Sequence, residues 1–106
     1  MNYRVKGRVY WGGNCIFFVD LGVYQIGDAT RMMGYIKDGD TWLEPTEEPV
    51  YRIWCRDYRF GAWVYPLINS PTDIGHAVAD IVRLRQTLWD GEVGSDYWLM
   101  QVEDEG

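Results

Sequence analysis

The stretch that decides the fold runs from Ser70 to Gly91 and reads SPTDIGHAVADIVRLRQTLWDG. Ser70 is a residue type that caps helix N-termini, Pro71 suits the first helical position, and Asp73 can bond the amide of the cap. Gly91 suits the position just after a helix. At about 100° per residue, the apolar residues fall on one side of the predicted helix: Ile74, Ala77, Val78, Ile81, Val82, Leu84, Leu88 and Trp89. The pattern predicts one long amphipathic helix over residues 71–90 that covers the remaining elements.

The rest of the chain has the pattern of β-strands. In residues 2–11 polar and apolar side chains alternate, as in a half-buried strand, and a glycine turn follows. Asp38-Gly39 favours a type I′ turn, so the residues on either side of it are expected to pair as a hairpin. Residues 44–49, with two prolines, read as a loop. Strands are predicted at residues 2–11, 15–21, 30–37, 41–43, 50–56, 61–68 and 96–103.

This order of elements indicates an α+β fold in a single domain over residues 1–106. We expect a curved, mainly antiparallel sheet of about five to seven strands, packed against the one helix and including a C-terminal strand. A small, partly closed β-barrel with one helix is the alternative.

The net charge and the aromatic content of the chain indicate which kinds of partner it can bind. The 106 residues include 16 acidic and 10 basic side chains, which gives a net charge of −6. Such a balance opposes binding to nucleic acid phosphates and to anionic membranes, so we expect neither partner. Aromatic residues make up 16% of the chain. A small core buries many of them, and the remaining rings are suited to contact with a protein.

The N-terminal residues and the cysteines predict a cytoplasmic protein. The first residues lack the apolar core of a signal peptide, and no apolar run reaches transmembrane length. Cys15 and Cys55 lie in apolar, strand-like segments, where we expect reduced and buried thiols.

Signals for catalysis are weak. His76 and Asp80 are four residues apart on the polar side of the helix, but two ligands without a third do not make a metal site. A nucleophilic thiol is not expected either, because Cys15 and Cys55 lie in apolar runs, where a thiol is inert. No glycine-rich phosphate-binding motif is present. We therefore predict a protein that is not an enzyme, with no catalytic residues, no metal and no cofactor.

Arg85 departs from the amphipathic pattern, because it projects into the middle of the apolar side of the predicted helix. An unpaired buried guanidinium is very unfavourable, so Arg85 is expected to be at least half buried and paired with a carboxylate, with Asp20 or Asp96 as the first candidates. The other interpretation is a ligand-anchoring arginine in a pocket under the helix.

Two charge patterns suggest how the chain binds a partner. Arg4, Lys6 and Arg8 form a basic face on the first strand, whereas acids concentrate in residues 38–48 and 90–105. Aromatic residues alternate with those acids, so we predict an acidic, aromatic-rimmed surface for a basic partner. The predicted partner-binding residues are Asp38, Asp40, Trp42, Glu44, Glu47, Glu48, Tyr97 and Trp98.

Together these features favour a non-catalytic inhibitor or immunity-type protein that binds a basic, nucleic-acid-handling protein. A phage-encoded antagonist of a bacterial defence complex is an example of this class. The alternative is a small-ligand-binding domain in which aromatic rings and Arg85 line a pocket under the helix. The sequence leaves the oligomeric state open.

Overall fold

The computed structural model describes residues 1–58, 61–86 and 95–103, without the side chains of Trp11, Cys15 and Ile16. These residues form an α+β fold with two antiparallel three-stranded sheets and two helices. The elements are β1 Asn2–Trp11, β2 Asn14–Tyr24, α1 Ile26–Met33, β3 Gly39–Thr46, β4 Val50–Asp57, β5 Trp63–Pro66, α2 Ile74–Gln86 and β6 Ser95–Val102.

The predicted single sheet is therefore wrong in detail. Sheet 1 has the strand order β2-β1-β3 and sheet 2 the order β5-β4-β6, and neither closes into the alternative barrel. The α+β class, the antiparallel pairing and the C-terminal strand are confirmed. Within the described residues, neither helix is long and apolar enough to cross a membrane.

Helix α1 occupies a segment that was predicted to be partly a strand. Its buried Ala29 and the partly buried Met32 and Met33 have the i, i+3, i+4 spacing of a helix face. They pack on Val5 and Tyr24 of sheet 1, and this cluster forms the core of that half of the fold. The strand predicted over residues 30–37 is therefore wrong in its first half, because a helix of eight residues is too short for its period to stand out in the sequence.

The Asp38-Gly39 pair also has a different role from the one predicted. Gly39 begins β3, which pairs with β1 rather than with residues 30–37, and Gly39 lies opposite Val9. A Cβ at Gly39 would overlap the carbonyl oxygen of Arg8, so glycine permits the close approach of two strands. Strand β3 then continues through Pro45 to Thr46, into the segment predicted as a loop.

Helix α2 is shorter at its start than predicted. Thr72 forms an isolated bridge with Tyr51, so the helix begins at Ile74, and Ser70 is not its cap. The predicted end at residues 87–90, with Leu88 and Trp89, and Gly91 lie outside the described residues. Only part of the predicted apolar side is covered: Ala77 is buried, whereas Ile74, Val78 and Val82 are exposed.

Asp73 is the true N-terminal cap of α2 and also joins the helix to sheet 1. Its Oδ2 accepts the backbone N–H of His76 at 3.4 Å, and its carbonyl oxygen accepts the N–H of Ala77 at 2.9 Å. Its Oδ1 accepts the backbone N–H of Val23 in β2 at 2.9 Å and the hydroxyl of Thr72 at 3.1 Å. One carboxylate therefore satisfies donors from both halves of the fold.

Gly22 makes this junction possible. It follows a register shift in β2 and has a φ of 104°, which disfavours residues with a Cβ. A Cβ there would lie 2.6 Å from Oδ1 of Asp73 and 3.0 Å from Nδ1 of His76. Any larger residue would displace the carboxylate from β2.

Alanine substitutions at Asp73 and at Ser70 should show which of the two residues caps α2. Asp73→Ala should lower the free energy of unfolding by about 2–3 kcal/mol, because it removes a helix cap and leaves a buried strand amide unpaired. Ser70→Ala should cost less than about 0.5 kcal/mol, since the Ser70 hydroxyl accepts a bond from the exposed Arg31 and α2 begins four residues later. Urea denaturation measures both; equal losses would mean that Asp73 does not hold the junction.

The charge of Asp73 should also make stability depend on pH. Burial opposes its ionisation, but hydrogen bonds from His76, Val23 and Thr72 outweigh that cost and lower the pKa of Asp73 from 3.8 to about 2. A lowered pKa stabilises the fold above the unfolded-state pKa, and this stability is lost as the pH falls from about 4 to about 2. We expect about 1–2 kcal/mol over that window, given partial solvent screening.

The Asp73→Asn variant is the control for this pH dependence, because it keeps the shape but cannot ionise. Its free energy of unfolding should fall less steeply than that of the wild type between pH 4 and 2. Parallel curves would show that other carboxylates account for the acid sensitivity.

Candidate functional site

The candidate site is the charged face of sheet 1, which β1 organises. Strand periodicity places Arg4, Lys6 and Arg8 on one face of β1, as predicted. The antiparallel register with β3 sets Arg4 opposite Glu44 and Arg8 opposite Asp40. The basic face and the acidic segment, which the sequence presented as separate features, are thus side by side.

Ion pairs link the central strand to both of its neighbours. Lys6 Nζ lies 3.0 Å from Glu44, and an Arg8 nitrogen lies 3.9 Å from Asp40. Arg4 bridges two acids, with one nitrogen 2.8 Å from Asp20 on β2 and the other 2.5 Å from Glu48 just after β3. We call this set, with Trp42, the charge ladder: Arg4, Lys6, Arg8, Asp20, Asp40, Trp42, Glu44 and Glu48.

Trp42 fixes the centre of the charge ladder. The guanidinium of Arg8 lies over its ring, 5.3 Å from the centroid, and its indole Nε1 donates to Glu44 at 3.1 Å. Hydrogen bonds from Lys6 and Trp42 lower the pKa of Glu44. At the end of β1, the hydroxyl of Tyr10 donates to Asp40 at 2.8 Å. The bonds from Lys6, Trp42 and Tyr10 each restrict the position of a carboxylate.

The bases of the charge ladder are more shielded than its acids. The side chains of Arg4, Lys6 and Arg8 are between 23% and 43% exposed, whereas those of its four acids are between 42% and 60% exposed. Each carboxylate is held by a base and still faces solvent. The charge ladder contains four acids and three bases, and three of its acids, Asp40, Glu44 and Glu48, are more exposed than any of its bases.

The structure divides the predicted partner-binding residues between two sheets. Asp40, Trp42, Glu44 and Glu48 belong to the charge ladder, and the exposed Asp38 and Glu47 flank it. Tyr97 and Trp98 lie on β6 of sheet 2, and as neighbours in a strand they point to opposite faces. Alternation of rings and acids along the sequence therefore did not correspond to one surface.

Arg85 is an exposed residue on the last turn of α2. Its two candidate partners have other contacts: Asp20 pairs with Arg4, and Asp96 accepts the hydroxyl of Tyr58 at 2.6 Å. A cleft of about 460 Å³ does lie beside α2, but its lining residues are Leu67, Ile68, Asn69, Asp80, Arg83 and Leu84.

The remaining chemistry-bearing residues have structural partners. His76 Nδ1 lies 3.0 Å from Asp73, and Asp80 pairs with Arg83. Across residues 1–58, 61–86 and 95–103, no three His, Cys, Asp or Glu side chains are grouped as metal ligands would be. Cys55 is buried and free, as predicted, and the side chain of Cys15 is outside the described part.

Sequence reasoning missed the base-to-acid pairing itself. The usable signal was the match between Arg4-x-Lys6-x-Arg8 and Asp40-x-Trp42-x-Glu44, two segments with a period of two and opposite charge. Because Asp38-Gly39 is typical of a type I′ turn, the residues after it were expected to pair with residues 30–37. The pairing of β3 with β1 was therefore missed.

Comparison with protein-family models, with curated proteins and with solved structures found no match. The geometry of this chain is therefore the basis of the functional conclusion.

Replacing the bridging arginine should show what the charge ladder contributes to stability. Arg4→Ala leaves Asp20 and Glu48 without their shared cation, so the free energy of unfolding should fall by about 1 kcal/mol at low salt, and by less in ~1 M NaCl. Arg83→Ala is the control, since Arg83 forms a single pair within one helix turn; it should cost under about 0.5 kcal/mol. Equal, salt-independent losses would contradict a coupled ladder.

Proposed function

We propose that the chain is a non-catalytic binding protein whose charge ladder docks onto a basic surface of another protein. The supporting observation is the arrangement of the ladder, in which shielded bases hold exposed acids in place. A partner's Lys or Arg side chains would meet carboxylates that are already ordered. Less side-chain freedom is then lost on binding.

The net charge of −6 adds a long-range contribution. A negative surface attracts a positive one before contact, which raises the association rate and disfavours partners of like charge. Protein surfaces that hold nucleic acid phosphates are rich in Lys and Arg. We therefore propose a nucleic-acid-handling protein as the target, with the chain acting in the cytoplasm as an inhibitor or immunity-type protein that occupies that surface. A phage-encoded antagonist of a bacterial defence complex would act in this way.

Trp42 is the proposed anchor of the interface. Its ring lies at the centre of the charge ladder, between Arg8 and Glu44, and it is partly exposed. Tryptophan residues ringed by charged groups are frequent energetic centres of protein interfaces. The acids would then set the rate and orientation of docking, and the ring would slow dissociation.

The cleft beside α2 supports a second candidate function, binding of a small ligand. Leu67, Ile68 and Leu84 provide apolar walls, and Asp80 and Arg83 provide charged groups. Its volume of about 460 Å³ is within the range of small-molecule sites. Arg85 is not among the residues that line this cleft.

A fluorescently labelled oligoarginine peptide tests the docking proposal without a known target. Fluorescence anisotropy should show binding that weakens steeply between ~0.02 and ~0.3 M NaCl. The triple variant Asp40→Asn, Glu44→Gln, Glu48→Gln should bind at least tenfold more weakly at low salt, because it removes the outermost acids of the ladder. The wild-type chain should also release the peptide from a short DNA duplex.

A second triple variant controls for net charge. Asp28→Asn, Asp80→Asn and Glu103→Gln remove the same number of charges from α1, α2 and the residue after β6. This control should bind the peptide within about threefold of the wild type. If both triple variants lose affinity equally, the attraction is a property of net charge, and the charge ladder is not the docking surface.

A further inference from the structure

The two faces of sheet 2 have different surroundings. Helix α2 packs on β4 and β6, on the face that carries the buried Ile53 and Cys55. Leu67 identifies this side, because its N–H donates to the carbonyl of Ile53 and the residue lines the cleft beside α2. Strand alternation places a second set of residues on the opposite face, which we call the open face. These include Arg52, Trp54 and Arg56 of β4 and Asp96, Trp98 and Met100 of β6.

The open face is accessible and carries two adjacent tryptophans. Met100 on β6 is 51% exposed, and Val64, which alternation places on the same face of β5, is 47% exposed. Trp54 and Trp98 are partly exposed and lie directly opposite each other in the antiparallel ladder. The Cβ atoms of such a pair are about 5 Å apart. Adjacent indole side chains on an accessible sheet face provide a platform on which a planar ring can stack.

Two guanidinium groups flank this platform, and in the described part of the chain neither pairs with a carboxylate. Arg52 donates to the carbonyl oxygens of Leu67 and Asn69, at 3.0 and 3.2 Å. Arg56 is exposed and has no hydrogen bond or ion pair to another described side chain. Each arginine is two residues from Trp54, about 7 Å along the strand. Unpaired positive charge therefore lies on both sides of the rings, unlike the charge ladder, whose bases all have carboxylate partners.

Asp96 is an acid on the same face and has a different partner. Its carboxylate accepts the hydroxyl of Tyr58 at 2.6 Å, although the register places Arg56 opposite it. Because Asp96 and Arg56 are neighbours, this acid opposes an anion at Arg56. Its replacement by a neutral residue therefore offers a variant in which anion binding should become tighter.

We propose that the open face of sheet 2 binds a free nucleotide. The base would stack on Trp54 and Trp98, and Arg52 and Arg56 would hold the phosphate. Guanidinium groups bind phosphate through paired N–H donors, and two cations suit the nearly double negative charge of a phosphate monoester. The net charge of −6 opposes a polymer of phosphates, so the proposal commits to a single nucleotide. It does not rest on the proposed function, because the charge ladder is on sheet 1.

Nuclear magnetic resonance with adenosine monophosphate tests this site. On titration to ~5 mM, the indole N–H resonances of Trp54 and Trp98 should shift together, with a Kd of about 1 mM or less. Trp63 is the internal control: it is 67% exposed, but it lies opposite Asp57 and on the α2 side of the sheet. Unchanged Trp54 and Trp98 resonances, or equal shifts at Trp63, overturn the proposal.

Three related compounds define the ligand. Adenosine lacks the phosphate and should bind at least about fivefold more weakly than adenosine monophosphate. Inorganic phosphate at ~5 mM should leave the two indole resonances in place, because it has no ring to stack. A single-stranded oligonucleotide that bound more than about tenfold tighter than the mononucleotide would contradict the commitment to a single nucleotide.

Arginine variants separate the site from net charge. Arg56→Gln should weaken binding of adenosine monophosphate about fivefold or more, with circular dichroism unchanged because the side chain is exposed and unpaired. Arg85→Gln is the matched control, since it removes the same charge from an exposed residue of α2; it should change the Kd less than about twofold. Asp96→Asn should tighten binding about twofold. Equal weakening by the two arginine variants would contradict a site on the open face.

Discussion

The carboxylate of Asp73 is the contact on which the arrangement of the two sheets depends. It caps α2, which packs on sheet 2, and it accepts the amide of Val23 in sheet 1. Gly22 leaves the space that this contact requires. One ionised group therefore satisfies donors from both halves, and it ties the N-terminal end of α2 directly to β2 of sheet 1.

Sheet 1 presents charge, and sheet 2 presents apolar surface. On sheet 1, bases in the central strand hold the acids of both neighbouring segments, so the negative groups are ordered as well as exposed. On sheet 2, Ile74, Val78 and Val82 of α2 are exposed, and among the described residues β6 has a neighbouring strand only on its β4 side.

The sequence predicted those features that depend on local periodicity. The spacing of polar and apolar residues predicted four features correctly. These are the alternation in residues 2–11, the strand at residues 50–56, the main body of α2 and the burial of Cys55. Features that depend on contacts between residues far apart in the sequence could not be predicted from local periodicity. Gly39 permits a close strand approach rather than a turn, α1 is too short for its period to stand out, and the partner of Asp73 is fifty residues away in β2. Ser70, Thr72 and Asp73 can each cap a helix, so tertiary contacts decided where α2 begins. The same limit applies to the candidate site, whose acids were recognised but whose pairing with β1 was not.

The central claim is that the charge ladder is the docking surface for basic partners, and nuclear magnetic resonance tests it most directly. The chain has six tryptophans, and the indole N–H of Trp42 is bonded to Glu44 within the ladder. On titration with oligoarginine peptide, this indole resonance and the backbone amides of residues 38–48 should shift, while those of α2 and β6 stay in place. Shifts centred on α2 and β6 instead, with the Trp42 indole unchanged, would contradict the account.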